Sequence, residues 1–209
     1  MNGSILLIFT LINTAKCPMI TNIEKPWIEA GYALFASGGP HELKIEKIAR
    51  KVGISKSSFY HHFATLEIFQ EKMLAHHLNY AREVAARTRE CKTMIPDFLN
   101  LLEQINDYVF FNRQLRIHKT NIMYQVSYER AVSLVIETLN PIWSEMMGLS
   151  HEPEIARNVL KVAIDLFYHR INVENFNAEW VHNFLKDFKS CMEGVIKINT
   201  LAGQEVANS

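Results

Sequence analysis

Apolar residues recur along this chain at spacings of three and four, whereas the alternation that is typical of strands is almost absent. Such spacings place side chains on one face of an α-helix, because the helix turns once about every 3.6 residues. Glycine and proline fall mainly between the periodic segments, where helices end. The pattern therefore predicts an all-α fold.

Four helices are predicted in the first part of the chain. They cover residues 24–37, 44–52, 55–63 and 65–89. The first helix ends at "SGGP", because a glycine accepts the left-handed cap and Pro40 cannot continue a helix. Gly53 ends the second helix. The side chain of Ser55 is predicted to cap the third helix, since serine is a preferred N-cap residue.

The later segments are longer. Apolar spacing predicts helices over residues 96–112, 119–139, 153–171 and 178–199. Asn140–Pro141 is predicted to break or kink the chain, because proline removes a helical hydrogen bond, and "GLSHEP" is predicted to be a loop. The stripes of the last two helices would pack either on the rest of the chain or against a second copy.

The two short helices around Gly53 predict a helix-turn-helix. Such a turn needs a residue that accepts positive φ, and glycine does. Ala49 would let the two helices approach closely. The residues predicted to fill the junction are Val52, Ile54, Phe59 and Phe63.

The charge of this segment differs from that of the whole chain. Lys plus Arg and Asp plus Glu number 22 each, so global charge indicates no acidic partner. Between Lys44 and Lys56, however, five cations accompany one carboxylate, Glu46. A solvated basic face is the alternative, but the coincidence with a helix-turn-helix favours contact with DNA phosphates.

The third helix has a predicted outer face. Phe59 and Phe63 are one turn apart and point inward, so their neighbours point outward. The outward residues are Ser57, Ser58, Tyr60 and His61. Short hydroxyls can approach base edges, and a tyrosine can reach a phosphate.

The stretch from Trp27 to Phe69 resembles the DNA-binding domain of the TetR family of transcriptional regulators. It reads "WIEAGYALFASGG…IEKIARKVGISKSSFYHHFATLEIF", and "SKSSFYHHF" is the most specific part. The match covers about a fifth of the chain. The resemblance implies an N-terminal three-helix helix-turn-helix domain over residues 19–66. A helical ligand-binding and dimerisation domain would follow over residues 67–209.

The resemblance also implies roles for single residues. Lys56 and Tyr60 would contact phosphates, and Ser57 and Ser58 would lie nearest the bases. The full set of predicted DNA-binding residues is Lys44, Lys56, Ser57, Ser58, Tyr60, His61, His62 and Thr65. The predicted partner is therefore a double-stranded DNA operator.

Two positions depart from the family pattern. The family usually caps its second helix with Thr or Ser, whereas this chain has Leu43–Lys44. The family usually has a lysine that holds a phosphate where this chain has Leu66. Thr65 and nearby backbone amides are predicted to replace that contact.

For the rest of the chain the resemblance implies only a layout. A helical core would enclose a cavity for an unknown small-molecule effector, and the helices at 153–171 and 178–199 would form a homodimer. The predicted ligand contacts are Phe111, Arg113, Tyr124, Tyr128, Trp143 and Met147. Taken from the residues alone, aromatic and methionine stripes are more often core than pocket. Arg113 would either orient an anionic ligand or be solvated.

The predicted function is a dimeric repressor that a ligand releases from DNA. A transcriptional activator of the same fold is one alternative. A helical small-molecule-binding protein without DNA binding is another. No catalytic, metal or cofactor site is predicted, because the chain lacks the GxSxG, HExxH, P-loop and dinucleotide motifs.

The cysteines and the N-terminus bear on location. Cys17, Cys91 and Cys191 are odd in number and far apart, which indicates reduced thiols and a cytoplasmic protein. "ILLIFTLI" near the start is too short to span a membrane, and no Lys or Arg precedes it. Residues 1–18 are therefore predicted to be a poorly structured extension. A secretory leader is the alternative.

Overall fold

The computed structural model describes the backbone of residues 20–207 and the side chains of residues 20–194. The predicted extension at residues 1–18 lies outside the described residues. Within them the chain forms nine α-helices and no strand, which confirms the all-α prediction. The helices are α1 (Lys25–Gly38), α2 (Ile45–Val52), α3 (Lys56–Phe63), α4 (Leu66–Glu90), α5 (Leu99–Gln104), α6 (Asn106–Ile117), α7 (Ile122–Met147), α8 (Pro153–Arg170) and α9 (Ala178–Ala207).

The chain divides into two compact units within α4, between Asn79 and Tyr80. The boundary predicted at residues 66–67 lies earlier, at the first residue of α4. The difference has a packing cause. Phe69 and Met73, on the first half of α4, are fully buried, and Phe69 belongs to the aromatic core of the N-terminal unit.

That core is a cluster of four buried aromatic rings. Trp27 meets Phe59 edge-on at 5.6 Å between ring centroids. Phe63 lies 5.0 Å from both Phe59 and Phe69. All four side chains are almost completely buried. Because aromatic rings bury large apolar areas and gain from edge-on contacts, the cluster joins α1, α3 and α4.

Gly31 allows α1 to lie directly against α4 in this unit. A Cβ atom at this position would lie 2.3 Å from Cζ of Phe69 and 3.6 Å from Sδ of Met73. A side chain here would therefore displace a ring that is already packed on several sides. The glycine in "EAGYALF" is explained by this close approach.

A mostly buried ion pair also joins α4 to the start of α1. The Lys72 ammonium donates to the Glu24 carboxylate, which also accepts from the Thr21 amide at 3.0 Å. The Glu24 side chain is 7% exposed. Burial alone would raise the pKa of Glu24, but the hydrogen bonds from Lys72 and Thr21 outweigh it and lower that pKa below its usual value.

This pair predicts a specific acid sensitivity. Because the folded pKa of Glu24 is depressed, its stabilisation is present above the unfolded pKa of about 4.3 and is lost as pH falls through the folded value. Glu24→Gln should lower the free energy of unfolding by about 1–2 kcal/mol at pH 7. The difference from wild type should shrink towards pH 3. Urea unfolding at both pH values measures it, and a difference that does not change with pH would contradict the assignment.

The second unit has a continuous apolar core to which α4–α9 contribute. The apolar stripe of α9 is part of it: Val181, Phe184, Leu185 and Phe188 are all buried. The Phe167 ring of α8 lies 5.7 Å from that of Phe184. The described part of the α9 stripe is thus covered by its own chain.

The chain does not break at Asn140–Pro141, one of the two outcomes predicted there, because α7 continues to Met147. Tertiary contacts support the helix beyond the proline. Asn140 Nδ2 donates to the Pro153 carbonyl at 3.2 Å, and Trp143 Nε1 donates to the Ala156 carbonyl at 3.0 Å. These bonds hold the last turns of α7 against the first turn of α8 and compensate for the missing proline amide.

The helix predicted over residues 96–112 is divided instead. An irregular turn at Met94–Phe98 comes first, with Ile95 extended at φ −134°. The Asp97 carboxylate accepts from the amides of Lys92 and Thr93 at 2.9 and 3.0 Å. A non-helical Ile105 then separates α5 from α6. Local side-chain capping thus interrupts the apolar periodicity.

No helix in the described part of the chain is both long and apolar enough to cross a membrane.

Candidate nucleic-acid interface and cavity

The turn between α2 and α3 has the predicted geometry. Gly53 is left-handed (φ 78°, ψ 21°), and its amide donates to the Ala49 carbonyl at 2.9 Å. Ala49 is 6% exposed, as a close approach requires. One prediction for this junction is wrong: Ile54 is 45% exposed, because the chain turns outward directly after the glycine.

Helix α3 has one buried face and one open face. Phe59 and Phe63 are buried, as predicted, and their ring contacts fix the rotation of the helix. The open face carries exposed Lys56, Ser57, Tyr60 and His61, with half-buried Ser58 and His62 at its margin. The rotation therefore presents hydroxyl, phenol and imidazole groups together.

Ser55 starts α3 without capping it through its side chain, so that prediction is wrong. Its hydroxyl lies 2.9 Å from the hydroxyl of Ser57, and its carbonyl accepts from the Ser58 amide at 3.0 Å. The two hydroxyls can share a hydrogen bond in either direction. Ser57 is thereby oriented at the first turn of the helix.

Carboxylates hold two of the five cations of this segment. Lys56 forms an ion pair with Glu46, which joins the first turns of α2 and α3. The hydrogen bond between them lowers the pKa of Glu46 and raises the pKa of Lys56. Lys47 lies 2.7 Å from Glu42, a residue just outside the stretch whose charge predicted the patch.

The other three cations are exposed: Lys44, Arg50 and Lys51. Among the described residues, none of them forms a salt bridge. Lys44 occupies the N-cap position of α2 without a side-chain cap, in line with the missing Thr or Ser. These exposed charges supply the net positive character that remains at the helix-turn-helix.

Thr65 caps α4. Its hydroxyl accepts from the Ile68 amide at 3.3 Å, and the chain reaches it through Ala64, which has a positive φ of 55°. A non-glycine residue in this region is strained. Ile68, in the first turn of α4, is 40% exposed. The side chain of Thr65 itself is exposed.

The second unit contains a narrow cavity of about 80 Å³. Its lining includes Val109, Leu139, Trp143, Leu160, Ala163 and Phe184. A single water needs about 10–15 Å³ of such space. The cavity is therefore larger than the voids expected in a close-packed core.

Trp143 alone, of the six predicted ligand contacts, belongs to this lining. Phe111, Tyr124 and Met147 are buried elsewhere in the unit. Arg113 donates its Nε to the Ile171 carbonyl at 2.6 Å. Tyr128 lies in an open groove between α7 and α8. No sequence pattern indicated the other lining residues, because they come from six helices, α4–α9, and from the Met94–Phe98 turn.

Helix α8 has an apolar stripe that its own unit covers only in part. Ile155 and Val162 are 49% and 60% exposed, and Val159 and Leu166 are half-buried. Their spacing of four, three and four residues forms one continuous seam. Arg157 lies in the neighbouring groove, and its Nε is buried without a hydrogen-bond partner among the described residues.

Residues 28–67 match the family model described as bacterial regulatory proteins, tetR family. No curated protein and no solved structure matches the chain. The matched residues contain most of α1 and all of α2 and α3, and thus the glycine turn and the open face of α3. The chain therefore carries an N-terminal helix-turn-helix segment that matches the TetR family, and this match supports a DNA-binding transcriptional regulator.

Proposed function

We propose that this regulator is a dimeric repressor that leaves its operator when a small molecule binds its second unit. The observation that carries the proposal is the presence, in one chain, of an open helix-turn-helix face and a separate apolar cavity. A DNA-reading surface alone needs no such cavity. A small-molecule-binding protein alone needs no exposed α3.

The proposed DNA contacts are those of the open face and its margins. Ser57 and Ser58 are short enough to let the first turn of α3 approach base edges, while Tyr60 reaches towards the backbone. The remaining proposed contacts are Lys44, Lys56, His61, His62 and Thr65. The exposure of Lys44, Lys56, His61 and Thr65 supports this assignment.

Dimerisation through α8 is supported by its partly uncovered stripe. Exposed apolar side chains aligned over several turns gain free energy when a second copy covers them. A two-fold pair also presents two α3 helices to two half-sites, which is how helix-turn-helix dimers read palindromic DNA. The described part of α9 would contribute less to such a dimer, because its stripe is already buried.

Ligand release requires a ligand that prefers one of two arrangements of the protein. A ligand shifts such an equilibrium only by the difference between its affinities for the two states. A difference of about 1–3 kcal/mol changes operator affinity about 5–150-fold. A narrow cavity is suited to this role, because a molecule that widens it favours a different packing of the second unit.

The test begins with selection of bound sequences from random duplex DNA by the full-length protein. A palindromic site with half-sites about one helical turn apart is expected. Transcription in vitro from a promoter that contains this site should fall when the protein is added. A failure to enrich any sequence would refute sequence-specific binding, and a rise in transcription would identify an activator.

Glu46 should compete with DNA phosphate for Lys56. Glu46→Gln is expected to raise operator affinity about three- to tenfold, because it frees Lys56 and removes a negative charge near the backbone. Lys56→Gln should weaken binding and reduce the salt slope by about one. Fluorescence anisotropy over a range of salt concentrations measures both effects.

The double variant is the control for this competition. If Glu46 acts through Lys56, Glu46→Gln should give a smaller gain in the Lys56→Gln background. Equal gains in both backgrounds would assign the effect to general charge repulsion. A loss of affinity in Glu46→Gln alone would show that the ion pair orders α3 for DNA.

A further inference from the structure

The chemistry of the cavity restricts the ligand that it can hold. Every side chain in its lining belongs to Ala, Val, Leu, Ile, Met, Phe, Tyr or Trp. No lysine, arginine, histidine, aspartate or glutamate is among them. An ionised group placed there would lose its hydration without gaining a charged partner, which is strongly unfavourable.

The nearby arginines do not change this conclusion. Arg113 donates to the Ile171 carbonyl. Arg116 forms a two-pronged ion pair with Asp165 at the open groove. Neither side chain lines the cavity. An anionic ligand that relied on either cation would have to bind outside the cavity.

Three polar side chains line the cavity: Tyr108, Trp143 and Tyr168. The side chain of Tyr108 is hydrogen-bonded to Asn112. Trp143 already donates its Nε1 to the Ala156 carbonyl at 3.0 Å. Tyr168 is 8% exposed. Burial raises the pKa of Tyr168 well above its usual value, so that the hydroxyl stays protonated and can donate. Its ring meets that of Tyr128 edge-on at 5.9 Å.

We propose that the cavity takes a small, uncharged, mainly apolar molecule with one oxygen that accepts a hydrogen bond from Tyr168. This ligand class rests on the proposed function, since it describes the effector of the same site. Apolar contact with the lining supplies the affinity, and the Tyr168 hydroxyl supplies orientation. Charged relatives of the same molecule are rejected, because their desolvation is not compensated.

Three probes with one carbon skeleton test this class: toluene, benzyl alcohol and benzoate. Calorimetric titration of the full-length protein at pH 7.5 should show saturable binding of toluene and benzyl alcohol. Benzoate should bind at least tenfold more weakly than benzyl alcohol. Benzoate binding as tight as benzyl alcohol binding, or no saturable binding of either neutral probe, would overturn the proposal.

Two variants locate the binding. Tyr168→Phe should weaken the binding of benzyl alcohol about three- to tenfold and the binding of toluene much less, because only the hydroxyl is removed. Ala163→Val should weaken both neutral probes by filling the cavity. Equal losses of toluene and benzyl alcohol in Tyr168→Phe would refute the hydrogen bond. Unchanged binding in Ala163→Val, with its melting temperature retained, would place the probes elsewhere.

Operator release is measured separately from probe binding. The proposal of ligand-released repression and the proposal of the ligand class can therefore fail independently. If the neutral probes bind but leave operator affinity unchanged at saturation, ligand release fails and the ligand class stands. If no neutral probe binds while the protein still selects a palindromic operator, the ligand class fails and DNA recognition stands.

Discussion

Replacing Val162 with glutamate is expected to convert the protein from a dimer to a monomer and to weaken operator binding at least about a hundredfold. In the proposed dimer, a symmetric seam would bury one unpaired carboxylate from each copy. Removing an unpaired charge from water costs several kcal/mol. Since Val162 is 60% exposed in the single chain, the fold of the monomer should be unaffected. Light scattering gives the mass, and circular dichroism checks the fold.

Val173→Glu is the matched control. Val173 lies beyond the end of α8 and is 73% exposed, so it carries the same substitution away from the seam. This variant should remain dimeric and bind the operator as wild type does. A Val162→Glu protein that stays dimeric would exclude the α8 seam as the interface. A monomeric Val162→Glu protein that retains full operator affinity would show that dimerisation is not needed for recognition.

The stripes of α8 and α9 show what periodicity predicts and what it leaves open. Spacing of three and four predicted both helices and their apolar faces. It could not predict which stripe its own chain covers, because Phe184 and Val162 are equally apolar in the sequence. The structure buries Phe184 and exposes Val162. Which segment covers an apolar face is decided by tertiary packing, which helical spacing does not encode.

The helix-turn-helix was predictable in detail because its determinants are local. Gly53 sets the turn, and Phe59 and Phe63 set the rotation of α3 within one turn of helix. The ion pair of Lys56 with Glu46 was not predictable, because it depends on how two helices cross. Counting charges along the sequence therefore overstated the free positive charge.

The continuation of the helix through Pro141 and most of the cavity lining were not predicted, for a related reason. A proline within α7 is tolerated because Asn140 and Trp143 bond to α8. The cavity draws its lining from separate segments, none of which has a distinctive sequence. Aromatic and methionine content predicted a buried region correctly, but burial does not distinguish a filled core from an open space.

Adjacent residues on α3 should separate folding from recognition. Phe59→Ala is expected to destabilise the N-terminal unit by about 3–5 kcal/mol, because it removes a fully buried ring from contact with Trp27, Phe63 and Phe69. Tyr60→Ala should change its stability by less than about 1 kcal/mol, since that side chain is 48% exposed. Amide hydrogen exchange in α1–α3 measures both changes within this unit.

For operator affinity the order of the two substitutions should be reversed, with Tyr60→Ala having the larger effect in the folded protein. The loss of one backbone contact should weaken binding about tenfold, although the fold is intact. Phe59→Ala should bind almost normally at low temperature, where the unit remains folded, and lose binding as the unit unfolds. A Tyr60→Ala protein with unchanged affinity would remove Tyr60 from the interface. A large loss of stability in that variant would mean that Tyr60 supports the core, and its effect on DNA binding would then follow from unfolding.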